Sequence, residues 1–476
     1  MKKYDLIVIG TGSGMNFIDS IIESKQDIKI AVIDKDEPGG ICLTRGCIPS
    51  KLLLYPAELV RMIGKSGKFG IDAAIKNIDF MEIMERMRNI IHDDIENIRM
   101  GLSASPNIDY YHDSAEFVSP YTIKTGKETL SSKMIFLCTG SKVKIPHIIG
   151  LEDAGYLTSD TVLEMTQLPE SIVIIGGGYI ATEYGHFFSS MGSSVTIIGR
   201  NNRLIPQEEP EISGFAKMEL SKHMNILTGY EVLKVQRTGD GKKVIARDRS
   251  TGHETYVVAE EILVASGREP NTDILVPEKG GIEIDKNGWI TVNDYMETSQ
   301  PNIWAFGDAN GKYLFKHVAN HESRIVYSNA ILKNNIKADY HAVPHAVFSY
   351  PEIASVGMKE KEAISEHGEE NVLIGFKKYG ETAKGIAMDA MDYFVKVIVE
   401  RGSYRLLGAH IIGPHASILI HEIIPLMYTR DQSAEPIIYG MHIHPALNEV
   451  VQRAFHSLMP PAQYHHILKH LRLEQE

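Results

Sequence analysis

Two of the three cysteines, Cys42 and Cys47, stand five positions apart in Gly39-Gly40-Ile41-Cys42-Leu43-Thr44-Arg45-Gly46-Cys47-Ile48-Pro49-Ser50-Lys51. A metal centre would want further Cys or His ligands nearby, and none lies close in sequence. A structural disulfide suits an oxidising compartment and a cysteine-rich chain, which this is not. A redox dithiol remains: one sulfur exchanges with substrate while the other faces an electron carrier. The third cysteine, Cys138, sits inside an apolar run and reads as a buried strand thiol. Dithiol chemistry also needs a proton partner. Met441-His442-Ile443-His444-Pro445-Ala446-Leu447-Asn448-Glu449 offers one, because a carboxylate (Glu449) five residues after His444 can fix the imidazole's tautomer. With 20 histidines in the chain, a purely structural role for His444 is the competing reading.

Positioning such groups calls for a rigid frame. Apolar runs at Leu6–Ile9, Ile30–Ile33, Met134–Leu137, Ile172–Ile175, Val195–Ile198 and Glu261–Ala265 alternate with helical stretches, the pattern of doubly wound parallel sheets. Two of the runs end in glycine turns. The first turn, Gly10-Thr11-Gly12-Ser13-Gly14-Met15, is followed by Asp34 closing the next strand. The first two glycines, Gly10 and Gly12, let the backbone turn tightly and approach a pyrophosphate at a helix N-terminus, with Gly14 in the same turn, and Asp34 takes a ribose hydroxyl pair. Met15 replaces the glycine that ordinarily permits close helix–strand packing. The second turn is Gly176-Gly177-Gly178-Tyr179-Ile180-Ala181, so the chain is expected to carry two dinucleotide folds. After its second strand comes Gly199-Arg200-Asn201-Asn202-Arg203, with no acid where Asp34 stands in the first fold. An acid there repels a 2′-phosphate and arginine attracts it, so Arg200 and Arg203 predict NADPH over NADH. Arginines on an ordinary solvated loop are the alternative.

From about Asp339 the texture changes to an α+β pattern, with strands at Val343–Phe348, Tyr393–Glu400 and Leu406–Ile412 and a helix around Ser417–Tyr428. The stretch from Pro460 to Glu476 reads as a solvated C-terminal helix. A length of 476 residues gives a prior of about three domains. At 43% apolar and 23% charged, the chain can bury several cores. A net charge of -12, without a Lys/Arg cluster, argues against nucleic acid or an anionic membrane as partner. No apolar stretch reaches the roughly 18–20 residues of a membrane span. Met1-Lys2-Lys3 leads straight into a strand rather than a signal peptide, so a soluble cytoplasmic enzyme is expected.

Together these motifs resemble the class I pyridine nucleotide–disulfide oxidoreductases: the glutathione, mycothione and mercuric reductases and dihydrolipoyl dehydrogenase. The resemblance runs the length of the chain. It includes Thr139-Gly140 with Pro146, Gly267-Arg268-Glu269-Pro270-Asn271, Ala305-Phe306-Gly307-Asp308 and Ser349-Tyr350-Pro351-Glu352. It implies two Rossmann-like domains and a C-terminal α+β dimerisation domain. Their expected divisions are FAD-binding at 1–148 and 269–338, NAD(P)H-binding at 149–268, and interface at 339–476. It implies FAD on the first turn, Asp34 and Asp308, with Thr139, Gly140, Lys51, Gly267, Arg268 and Gly307 among the cofactor contacts, and NADPH (or NADH) on Gly176–Ala181. Cys42 becomes the interchange thiol and Cys47 the thiol beside the flavin. Lys51 pairs with Glu183 where the nucleotide's electrons arrive, Tyr179 lids the flavin, and His444 with Glu449 forms a base dyad acting across the two-fold axis of a homodimer.

Within the family, the lack of any cysteine after Cys138 disfavours mercuric reductase, and the Cys42–Cys47 pair excludes single-cysteine coenzyme A disulfide reductases. Arg200, Arg203, Tyr179 and a local likeness to mycothione reductases, including Lys316-His317-Val318-Ala319-Asn320-His321-Glu322, favour reduction of a small disulfide. The alternatives are dihydrolipoyl dehydrogenase working with NAD and a non-catalytic flavoprotein subunit. Arg45, unusual between the cysteines, either favours the Cys42 thiolate or an anionic substrate, or pairs with solvent or an internal carboxylate.

Overall fold

A computed structural model describes residues 1–25 and 27–471. The first parallel sheet has five strands in the order Ile303–Ala305, Ile135–Leu137, Leu6–Ile9, Ile30–Asp34 and Ile108–His112. Helices cover one face, through Ile18, Ile21, Leu102 and Ile325, and the antiparallel strands Ala115–Ser119, Thr122–Thr125 and Glu128–Ser131 cover the other, so its central strands read as unbroken apolar runs; every side chain of Leu6–Ile9 is buried. One edge strand arrives from more than 160 residues downstream, Ile303 pairing Ile135 and Ala305 pairing Leu137. A second parallel sheet runs Leu157–Thr158, Glu261–Val264, Ser171–Ile175, Ser194–Gly199 and Asn225–Thr228. In both sheets the two strands flanking a glycine turn pair in register, Val8 with Val32 and Val173 with Thr196. A crevice thus opens at the strands' carboxyl ends in each fold.

The third unit is an antiparallel sheet ordered Pro344–Val347, Ile353–Gly357, Leu406–Ile412, Phe394–Glu400 and Val372–Lys378. The strand expected at Tyr393–Glu400 begins at Phe394 and the one at Leu406–Ile412 is found with those bounds. The helix expected over Ser417–Tyr428 is instead three short turns: Ala416–Leu419, Ile420–Glu422 and Ile424–Met427. Pro425, which lacks an N–H and crowds the preceding turn, opens the last of them.

The C-terminal helix is not solvated either. Pro461–Leu471 docks through Tyr464, which is fully buried, and Leu468. The Tyr464 hydroxyl donates to Glu211 Oε1 at 2.5 Å, and Lys396, buried in the strand Phe394–Glu400, reaches the same oxygen at 2.5 Å and Glu360 Oε2 at 2.7 Å. Glu209 is also within 3.3 Å of Lys396. Burial by itself would lower the Lys396 pKa, but Glu211, Glu209 and Glu360 together hold it above its ordinary value. This buried ionic knot ties the helix Pro210–Leu220 of the second fold to the antiparallel sheet and to the C-terminal helix. Residues 472–476 of the expected helix lie outside the described residues. None of the described helices is long and apolar enough to cross a membrane.

Candidate active site

A helix break positions the two cysteines. Gly40–Thr44 forms a short helical turn, Gly46 caps the next helix, and Cys47 is the first residue of Cys47–Lys65. Gly40 has φ +71°, and a Cβ there would lie 2.5 Å from Gly12 Cα, so the cysteine segment meets the first glycine turn through glycines alone. Both cysteines are free thiols. A hydrogen bond between them splits their acidities: together with burial it pushes Cys42 well above the ordinary thiol range, and against burial it brings Cys47 down to about 7, helped by the Lys51 ammonium. Near neutral pH the pair is one thiol and, in good part, one thiolate.

Lys51, one turn along from Cys47, binds Glu183 Oε2 at 2.9 Å and Oε1 at 3.1 Å. Glu183 is 5% exposed and also accepts from the Phe348 backbone N–H at 3.0 Å. Glu183 belongs to the helix Tyr179–Met191, which starts directly after Gly178. That start turns Tyr179 and Ile180 toward the cysteines, and burial raises the Tyr179 hydroxyl to about 12.

Cys42, Cys47, Lys51, Glu183 and Tyr179 line one cavity of about 830 Å³. Gly10, Gly12, Asp34, Thr139, Gly140, Arg268, Gly307 and Asp308 line it too. Asp34 Oδ2 accepts from Thr11 N at 2.7 Å and Thr11 Oγ1 at 2.6 Å, and Oδ1 accepts from Asp36 N at 3.0 Å. A carboxylate has about four acceptor positions, so Asp34 keeps room for a hydroxyl. At the other end, Asp308 Oδ2 accepts from Ser141 Oγ at 2.5 Å, and Arg268 grips Ser141 through Nε to Oγ (2.6 Å) and Nη2 to O (2.8 Å). Burial raises the Asp308 pKa, with Ser141 and Arg268 opposing.

Several expected residues lie elsewhere. Gly14 packs behind the turn, where a Cβ would come within 2.9 Å of Cys138 Sγ. It makes the close approach one position before Met15. Cys138, just past its strand, has its thiol pushed well up by burial. Gly176, with φ +140°, meets the Ala265 carbonyl, and Gly178 caps its helix; they shape the second crevice and not this cavity. Gly267 (φ +111°) only turns the chain, its carbonyl accepting from Lys144 N at 3.0 Å. Arg200 and Arg203 are exposed beyond the strand Ser194–Gly199, whose Gly199 abuts Gly177. Arg249, from a distant hairpin, joins them by donating to the Arg200 carbonyl at 3.0 Å. Arg45 does line the cavity, but its charge is taken up by internal carboxylates, Asp36 and Asp160, the latter at 3.7 Å.

His444 and Glu449 are paired, Nδ1 to Oε1 at 3.0 Å, and Ala446 N donates to Glu449 Oε2 at 3.2 Å. The hydrogen bond with His444 lowers the Glu449 pKa. Neither residue lines the cavity, and the His444 side chain is 67% exposed, its Nε2 facing away from Glu449. Sequence reading named Ser13 and Lys316, both in the cavity wall, only as members of their motifs, and passed over Ser141, which bonds Asp308; isolated serines and lysines carry no signal of their own.

The pyridine nucleotide-disulphide oxidoreductase family model matches residues 4–331, and the dimerisation-domain model of the same family matches 343–455. The chain belongs to the pyridine nucleotide-disulphide oxidoreductases. Its curated relatives include the mycothione reductase of Mycobacterium tuberculosis (strain H37Rv), 36% identical over 96% of this chain and 100% of that protein. The dihydrolipoyl dehydrogenase of Chlamydia muridarum is 33% identical over 94% of this chain and 95% of its own length. Among solved structures, the HOCl-induced flavoprotein disulfide reductase RclA from Escherichia coli superimposes with TM-score 0.83 at 25% identity, covering 94% of this chain and 98% of that one.

As a flavoprotein disulfide oxidoreductase the chain belongs to a family whose members use FAD and a pyridine nucleotide. The cavity suits FAD: at about 830 Å³ it is within the roughly 300–1,000 Å³ of cofactor sites, and Asp34, Asp308, the first glycine turn and both cysteines line it.

Proposed function

We propose that the protein is an NADPH-preferring reductase of a low-molecular-weight disulfide, working as a homodimer. The observation that carries this reading is the placement of Cys42 and Cys47 together in the wall of the cavity, beside the Lys51–Glu183 pair. Bound FAD would supply two-electron chemistry between the pyridine nucleotide and the Cys42–Cys47 disulfide, whose reduction gives the dithiol. Tyr179 covers the entry from the second crevice until the nucleotide displaces it, and Lys51 with Glu183 fixes the local charge there. On the substrate side, His444 of the second subunit takes the Cys42 proton at Nε2. The Cys42 thiolate attacks one sulfur of the substrate, the substrate S–S bond breaks, and His444 returns the proton to the departing thiolate. Cys47 then attacks Cys42 Sγ, releasing the second thiol and closing the Cys42–Cys47 disulfide. One NADPH, one proton and one disulfide thereby give NADP⁺ and two thiols.

The nucleotide preference rests on Arg200, Arg203 and the absence of an acid at that strand end. The small-disulfide reading rests on the mycothione reductase relative, and the exposed His444 on a dimer with shared active sites. The dihydrolipoyl dehydrogenase relative supports a second reading, oxidation of dihydrolipoamide with NAD. Steady-state assays with NADPH and NADH against lipoamide and against glutathione, mycothiol, bis-γ-glutamylcystine and coenzyme A disulfides separate them. NADPH-linked turnover of one small disulfide, lost about ten- to a hundredfold in kcat/KM for NADPH in Arg200→Ala/Arg203→Ala, is expected from the loss of charge-assisted contacts. Fast NADH-linked lipoamide turnover would overturn the reading.

A further inference from the structure

Lys316 is a cation without a resident anion. It is the first residue of the helix Lys316–Val326, half-buried in the cavity wall, and its Nζ donates to Ser13 Oγ at 2.9 Å. No ion pair among the described residues includes it. The nearby sulfurs do not answer its charge: burial keeps Cys138 protonated, Cys42 is the protonated partner of its pair, and the Cys47 thiolate has Lys51. No carboxylate is among the charges that act on it, which are these three sulfurs alone. A half-buried cation so placed faces an uncompensated desolvation cost unless a ligand supplies the negative charge.

The glycine turn it touches is itself incomplete. In the second fold, a 13-residue helix starts immediately after Gly178 and its N-terminal dipole is aimed into the crevice. In the first fold, Ser13–Met15 make a single 3₁₀ turn and the helix begins only at Ile18, running seven residues. A helix dipole acts within about its first turn, so it falls short of an anion at Gly10–Ser13. Ser13 is held in place instead by the Lys316 helix: its Oγ donates to Asn320 Oδ1 at 3.0 Å and its carbonyl accepts from Ser323 Oγ at 2.9 Å.

We propose that Lys316 is the charge that binds the pyrophosphate of the flavin dinucleotide, doing at the first glycine turn what a helix N-terminus does at the second. The assignment rests on the reading of this cavity as the FAD site. It makes Lys316 a cofactor-binding residue contributed by the far end of the sequence, some 300 positions from the turn it completes.

Flavin release from the purified holoprotein tests it, followed by flavin fluorescence after dilution into buffers of increasing NaCl. Lys316→Met keeps the aliphatic stem and removes the charge. It is expected to weaken FAD retention about ten- to a hundredfold, the effect of losing a charge-assisted hydrogen bond, and to flatten the salt dependence of release. Lys316→Arg is expected to retain FAD nearly as the unaltered protein does, and the flavin's reduction potential is expected to stay unchanged in both. Unchanged retention in Lys316→Met, equal losses in the Met and Arg variants, or a shifted potential with retention intact would each overturn the assignment. A purified chain carrying no flavin would instead overturn the reading of the cavity on which it rests.

Discussion

Cys42 and Cys47 are the same residue type in one segment, yet their surroundings make them different reagents. Cys47 opens a helix and faces an ammonium, while the Cys42 thiol keeps its proton and donates a hydrogen bond to Cys47. The reduced protein's thiolate absorbance at 240 nm is therefore expected to rise with a midpoint near pH 7, as Cys47 releases its proton on going from acid to neutral pH. Lys51→Met removes the cation that favours the thiolate and is expected to move that midpoint upward; an unmoved midpoint would leave the helix terminus and the Cys42 bond as sufficient causes. The spacing of the cysteines is legible in the sequence, but the direction of the hydrogen bond between them is not. The same holds for Arg45, whose charge is spent on Asp36 and Asp160, residues brought to it from two different strand ends.

At the scale of elements, apolar runs located the strands they named within a residue or two, because those strands are largely buried, but passed over Ile108–His112, Asn225–Thr228, Ile303–Ala305 and Val372–Lys378. They also failed where a polar residue is buried for the sake of another element. Lys396 sits in an otherwise apolar strand and is invisible to a pattern argument, yet it holds three carboxylates and, through Glu211, the hydroxyl of Tyr464. Removing one partner of a buried ionic group leaves the others uncompensated, so Lys396→Met is expected to destabilise the protein by about 3–5 kcal/mol in thermal or urea unfolding. Tyr464→Phe, which removes only one hydrogen bond, is expected to cost about 1 kcal/mol. A Lys396→Met variant as stable as the unaltered protein would mean that the knot is not what anchors the C-terminal helix.

For the whole molecule, the decisive feature is what one copy leaves unfinished. Met441 is fully exposed and Ile443 is 79% exposed, beside a paired but open His444, within the segment matched by the family's dimerisation domain. Apolar side chains so displayed, beside the His444–Glu449 pair, suit an interface with a second subunit. If the site is shared, subunits carrying Cys42→Ser and subunits carrying His444→Ala, each inactive alone, are expected to recover disulfide turnover when unfolded and refolded together. Random pairing under two-fold symmetry sets the ceiling at about a quarter of the unaltered activity. No recovery from mixed dimers would place the proton partner elsewhere.

The two glycine turns, the cysteine pair, the His444–Glu449 contact and the family are legible in the chain alone, because each depends on residue types at short spacing: five positions between cysteines, five between His444 and Glu449. Tertiary structure alone decided which of these groups meet. Lys51 finds Glu183 across 132 positions, Asp308 finds Ser141 across 167 and Lys316 finds Ser13 across 303. Such pairs are fixed by strand order and helix packing, and no local pattern encodes them. The acidities that set the chemistry follow from those meetings, since burial and the nearest opposite charge are properties of the fold and not of the chain.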